Sequence, residues 1–131
     1  YMLDWYAYGI GKVPTKVATT YQNISDAWSL LIDQKWHDRI TAIKVSDGGL
    51  SYVEFFEYRK NKMSIPLFNI YCATGSNREY YAERTDLIQL GQTTQAIYFA
   101  KLTNEGEQSE LALTGDEIKA RFSLVNQAWN N

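Results

Sequence analysis

Asp47-Gly48-Gly49, set between two runs of β-branched and aromatic residues, narrows the possible folds more than any other stretch. An Asp-Gly step supplies the positive φ angles that tight primed turns need. Ile40–Ser46 and Leu50–Arg59 therefore read as the two strands of a hairpin. Alternation places Tyr52, Glu54, Phe56 and Tyr58 on one face of the second strand, and Ser51, Val53, Phe55 and Glu57 on the other. Aromatic rings on both faces predict a sheet covered, at least partly, on both sides.

The same pattern continues downstream. The polar stretch Lys60–Lys62 turns the chain into a strand over Ile65–Thr74, with Phe68, Ile70 and Cys72 on an apolar face opposite Leu67, Asn69 and Tyr71. Pro66 is tolerable near a strand start, where it removes a single ladder donor. Gly75-Ser76-Asn77 breaks that strand, Glu79–Glu83 suits one helical turn, and Leu87–Leu90 leads through Gln92–Thr94 into a β-rich run over Gln95–Thr103. Asn104–Glu110 reads as a polar, acidic loop. Thr114-Gly115-Asp116-Glu117 then has the spacing of a capping box, in which the threonine and glutamate each satisfy the other's backbone N–H. Ile118, Phe122, Val125 and Trp129 follow at one-face helical spacing, which predicts an amphipathic helix packed on the sheet.

Two segments are less determined. In residues 27–40, Trp28, Leu31, Ile32 and Trp36 fit a helix capped at Ser25-Asp26, while Trp28, Leu30 and Ile32 fit a strand. The first 22 residues combine Trp5, Tyr6 and Tyr8 with Gly9-Ile10-Gly11, Pro14 and a polar run, as in an extended arm. The reading is an α+β fold, with an antiparallel β-sheet of about five to seven strands packed against a C-terminal α-helix. Residues 1–22 form an N-terminal arm or edge segment, and residues 23–131 a single α+β domain.

Composition removes several functional classes. A chain of 131 residues buries roughly two-thirds of its unfolded surface, enough for a core without disulfides or metals. With 45% hydrophobic and 21% charged residues, generic disorder is excluded. A net charge of −2 argues against a nucleic-acid partner or an anionic membrane surface. One cysteine allows no internal disulfide, and one histidine no multi-histidine metal site. No apolar run approaches the ~20 residues of a membrane-spanning helix. The start, Tyr1-Met2-Leu3-Asp4-Trp5, lacks the parts of a signal peptide and reads as a trimmed beginning.

Chemistry-bearing motifs are scarce. Trp36-His37-Asp38 offers an imidazole beside a carboxylate, but neighbours in sequence diverge in direction on a strand or a helix. No nucleophile motif is present. The carboxylate pairs Glu54/Glu57 and Glu79/Glu83 fit opposite strand faces and a solvated helical face, respectively, better than a catalytic pair. No metal-ligand spacing occurs, Gly9-x-Gly11 lacks the rest of a dinucleotide fingerprint, and no cofactor is expected. Asn23-Ile24-Ser25 matches a glycosylation acceptor, and Cys72 lies in an apolar strand pattern as a small buried hydrophobe.

Aromatic residues make up 15% of the chain. Phe55, Phe56, Phe68, Phe99, Phe122 and Trp129 are expected in the core. Tyr80-Tyr81 after a loop, and Trp5-Tyr6 with Tyr8 on the arm, suit a recognition surface. With Trp36 and His37 these are the candidate ligand-binding residues.

The order of features over residues 27–129 resembles small domains of exported proteins and lipoproteins of Gram-positive bacteria. The resemblance lies in Trp36 after an apolar segment, the aromatic hairpin strand Tyr52–Tyr58, Pro66-Leu67-Phe68-Asn69-Ile70, Leu90-Gly91, the tyrosine-bearing Ala96–Ala100 and the late Phe122. The arrangement is also distantly similar to the Mog1/PsbP-like fold, an antiparallel sheet flanked by helices. The resemblance implies a strand for residues 27–33 and an extracytoplasmic setting, secreted or lipid-anchored. It implies no activity.

The expected function is therefore a non-catalytic extracytoplasmic module that binds a protein, peptide or cell-surface glycan through exposed aromatics. The alternatives are a structural or assembly domain of a larger envelope protein, and a small enzyme using His37 with a carboxylate brought near by folding.

Overall fold

A computed structural model describes residues 2–7, 15–36, 39–58 and 64–125. The chain divides into two compact units, Tyr1–His37 with Ala120–Asn131, and Asp38–Lys119. Each carries its own antiparallel sheet. The fold is α+β, as expected, but two sheets of four and five strands replace the single sheet.

In the first unit, β1 (Met2–Ala7) pairs with β2 (Thr15–Asn23), which pairs with β3 (Trp28–Leu31). β2 is continuous through residue 22, where the sequence reading ended an arm. The ambiguity over residues 27–40 resolves as strand β3 followed by one 3-10 turn over Gln34–Trp36. Asp33 anchors that turn. Its carbonyl accepts from Trp36 N at 2.9 Å, its Oδ1 accepts from Lys35 N at 3.0 Å, and its Oδ2 accepts from Arg121 Nη2 at 2.6 Å.

The four-residue link between β2 and β3 is held by Asn23. Its Oδ1 accepts from Ser25 Oγ and Asp26 N, and its Nδ2 donates to Asp26 Oδ2 at 3.1 Å. This side chain is buried, and the amide nitrogen a glycan would need is engaged by Asp26. The Asn23-Ile24-Ser25 triplet is thus a turn device. The turn closes through Ala27, whose φ of 63° lies in the left-handed region.

The second unit orders its strands β4-β5-β6-β8-β7. These are β4 (Ile40–Asp47), β5 (Leu50–Glu57), β6 (Ile65–Ala73), β7 (Ile88–Gln92) and β8 (Ile97–Leu102). The predicted hairpin is present, with Asp47 paired to Leu50 and Gly48-Gly49 as its two-residue loop. The positive φ, 60°, falls on Gly48, the first central residue, where a type II′ turn requires it. One face of the sheet is core: Val53, Phe55, Phe68, Ile70, Cys72, Tyr98 and Ala100 are all buried. Glu57 is buried with them and accepts a hydrogen bond from Ser109 Oγ. On the opposite face Val45, Tyr52, Tyr71, Phe99 and Gln89 form one row across all five strands.

Three short helices complete the described chain. α1 (Arg78–Ala82) matches the expected turn. α2 (Asn104–Glu107) lies where a polar loop was expected, because Thr103 caps it by accepting from Gly106 N at 2.8 Å. α3 (Gly115–Arg121) starts at the predicted capping box: Thr114 N donates to Glu117 Oε1 at 3.0 Å and Glu117 N to Thr114 Oγ1 at 3.2 Å. Its start lies against Ile88 of β7.

The helix does not run on toward Trp129 as its periodicity predicts. It stops at Arg121, and Phe122–Leu124 becomes β9, pairing with Trp28–Leu30 of β3. Phe122 has strand propensity and gains a ring contact with Trp28, at 5.8 Å between centroids. Trp129 lies outside the described residues. No helix of the described residues is long and apolar enough to cross a membrane.

Candidate functional site

The site is built where two glycine-bearing turns of the second unit meet. The hairpin loop after β4 touches the strand break after β6, and Gly49 O accepts from Thr74 N at 2.7 Å and from Gly75 N at 3.2 Å. The backbones come so close that a Cβ on Gly49 would stand 2.7 Å from Gly75 Cα. Beside this contact a half-open recess of about 300 Å³ is lined by Asp47, Ser76, Asn77, Arg78 and Tyr81 along with the glycines. Its size is at the lower end of the ~300–1,000 Å³ typical of small-ligand clefts.

The strand break puts the polar groups there. After Thr74 the chain leaves the sheet, and Arg78 N donates to Gly75 O at 3.1 Å, closing the turn that starts α1. The Arg78 guanidinium also reaches back to Gly75 O through Nη1, at 3.4 Å. The recess therefore combines a carboxylate, a hydroxyl, a carboxamide and a guanidinium with one aromatic wall. This set can accept and donate hydrogen bonds in several directions at once.

The aromatic wall is held from behind. Tyr81 stacks on Phe99 at 5.0 Å and 16°, Phe99 stacks on Tyr71 at 4.8 Å and 8°, and Tyr71 meets Tyr52 at 5.1 Å. These rings follow the cross-strand row, whose register puts Tyr52, Tyr71 and Phe99 side by side. Asn69 Nδ2 donates to Tyr71 Oη at 3.1 Å, and Gln89 Nε2 donates to Tyr81 O at 2.8 Å. Ala73, Leu87 and Ile97 pack around Phe99, with Tyr81 against them.

Tyr80 stands differently. It is 64% exposed, meets Tyr81 edge-on at 5.4 Å and 77°, and carries the Arg84 guanidinium over its ring at 5.4 Å. Arg84 is fixed in turn by Asp86, whose carboxyl sits below its ordinary pKa, chiefly through the hydrogen bond from that guanidinium. Tyr80 is thus an exposed aromatic whose position is set by neighbours, although it does not line the recess.

The other candidate residues fare unequally. Trp36 is only 1% exposed and lies among the buried core residues. Trp5 and Tyr6 lie on β1, and only their backbone is described. Tyr8 and His37 lie outside the described residues. Among the described residues no group of three His, Cys, Asp or Glu side chains could hold a metal ion. Cys72 is a buried free thiol.

Sequence reasoning singled out Tyr80 and Tyr81 but missed Asp47, Ser76, Asn77 and Arg78 as site residues. The turn signals at Asp47-Gly48-Gly49 and Gly75-Ser76-Asn77 marked both places as breaks. Nothing local shows that the two breaks touch.

No protein-family model, curated protein or solved structure matches the chain.

Proposed function

We propose that the chain is a non-catalytic binding module whose second unit takes a hydroxyl- and amide-bearing ligand, a glycan segment, in the recess beside Tyr80. The observation that carries this reading is the pairing of Tyr81 with four hydrogen-bonding side chains around a half-open cleft of about 300 Å³. Sugars present alternating hydroxyl edges and apolar ring faces, which such a mixture of polar groups and an aromatic wall complements. The stack behind Tyr81 and the Arg84 contact on Tyr80 hold both rings before a ligand arrives, which lowers the ordering cost of binding. An extracytoplasmic setting, where cell-surface glycans occur, accords with the resemblance to exported bacterial domains.

The test is an NMR titration of ¹⁵N-labelled protein with N-acetylglucosamine oligomers and, separately, with an unstructured peptide. Shifts confined to the amides of Asp47–Leu50 and Ala73–Tyr81, seen with the saccharide and lost in Arg78→Ala, support the reading. Shifts with the peptide alone would transfer the site to a protein partner. Saturating saccharide with no shift in those segments would sink it.

A further inference from the structure

We infer, resting on the glycan reading of the recess, that its ligand is acidic: a sugar whose carboxylate is received by the Arg78 guanidinium while its ring lies along Tyr81. Arg78 lacks the partner that its counterparts have. Of the four arginines among the described residues, Arg39 pairs with Glu110, Arg84 with Asp86 and Arg121 with Asp33. Arg78 pairs with no carboxylate among the described residues, and its guanidinium meets the carbonyl of Gly75, at 3.4 Å through Nη1.

The local sequence explains why no acid comes near. Arg78 opens the short helix α1, where its side chain shares a face with the positions three and four residues on. Those positions are Tyr81 and Ala82, a ring and a methyl group, not the glutamate that would make a helical ion pair. Glu79 and Glu83 fall off that face. The Gly75 contact occupies one donor of the guanidinium and holds the group at the strand break. The rest of its planar fork, whose geometry takes a carboxylate bidentately, is left for a ligand.

The surrounding groups suit an acidic sugar rather than a bare anion. Asp47, Ser76 and Asn77 make no side-chain hydrogen bond among the described residues, so all three are uncommitted where they line the recess. Asp47 accepts from hydroxyls and repels a ligand that is charged all over, which favours a molecule with one acid group and hydroxyls elsewhere. The net charge of −2 likewise gives the chain no general attraction for anions. A hexuronate meets these demands together. It offers a carboxylate to Arg78, hydroxyls to Asp47, Ser76 and Asn77, and an apolar ring face to Tyr81, which its stack on Phe99 holds in place.

The probe is a tetrasaccharide alternating N-acetylglucosamine and glucuronate, set against the same chain with each carboxyl reduced to a primary alcohol. In NMR titrations the wild-type protein should bind the acidic form about tenfold tighter, the scale of one partly exposed charge-assisted pair. The Arg78 Nε–H signal, traced through its side-chain carbons in doubly labelled protein, should move with the acidic form and stay in place with the reduced one. Arg78→Gln should bring the ratio of the two affinities to about one; because the wild-type comparison stands by itself, the test does not depend on that variant folding. Equal affinities for the wild type, tighter binding of the reduced form, an unmoved Arg78 signal, or a ratio kept in Arg78→Gln overturns the inference. If the amides of Asp47–Leu50 and Ala73–Tyr81 shift equally with both forms, the acid preference falls and the glycan reading stands. If no saccharide, neutral or acidic, shifts them, both fall.

Discussion

Gly49→Ala and Gly75→Ala touch the same backbone contact from its two sides, yet the structure assigns them different costs. A Cβ on Gly49 would lie 2.7 Å from Gly75 Cα and 2.8 Å from Gly75 N, well inside ordinary contact at 3.4 Å or more. Both opposing atoms are backbone, so no side chain can swing aside. Relief requires the hairpin loop and the strand break to separate by about 0.7 Å, the difference between 3.4 and 2.7 Å. The hydrogen bonds to Gly49 O, at 2.7 and 3.2 Å, stretch with it. Overpacking of this kind costs about 1–3 kcal/mol, and a weakened hydrogen bond about 1 kcal/mol more. The expected loss is about 2–4 kcal/mol. A Cβ on Gly75 meets nothing closer than 3.4 Å, and alanine there also restricts the unfolded chain. That variant should stay within about 0.5 kcal/mol of wild type. Urea unfolding followed by far-UV circular dichroism is the assay, since the second unit contains no tryptophan. With a slope of about 2 kcal/mol per molar, in the middle of the usual range, the Gly49→Ala midpoint should fall by roughly 1–2 M. Equal midpoints for the two variants would refute the close approach on which the recess is built.

Tyr80→Ala should leave thermal stability nearly unchanged, whereas Tyr81→Ala, which loses its stack on Phe99, should cost about 2–3 kcal/mol by calorimetry. Ala27→Gly should raise the urea midpoint by an amount worth about 0.5–1 kcal/mol, because it relieves a left-handed alanine at φ 63°; a lower midpoint would contradict that backbone assignment. Burial, and secondarily the Asp26 carboxylate, raise the Tyr21 phenol above its ordinary 10.0. The folded state thus holds this proton more tightly, so the contribution is whole below pH 10 and drains away as pH rises through the folded value. Tyr21→Phe should flatten the alkaline decline of stability in pH-dependent melts, and an unchanged slope would discard Tyr21 as its source.

The chain by itself determined what depends on a few neighbouring residues. The hairpin around Gly48, the capping box of Thr114 and Glu117, and the single helical turn at Tyr80-Tyr81 all follow from turn chemistry or short-range periodicity. Tertiary structure alone decided the rest. Phe122 sits at helical spacing after Ile118, but Phe122–Leu124 becomes a strand because Trp28–Leu30, nearly a hundred residues earlier, offers a ladder and a ring to pack on. The burial of Trp36, which the local pattern leaves open, is likewise set by the fold. Asp47 and Arg78 become neighbours across one recess only because two glycines let distant backbones touch. Local preferences are worth tenths of a kcal/mol per residue, so where two conformations nearly tie, a partner remote in sequence breaks the tie.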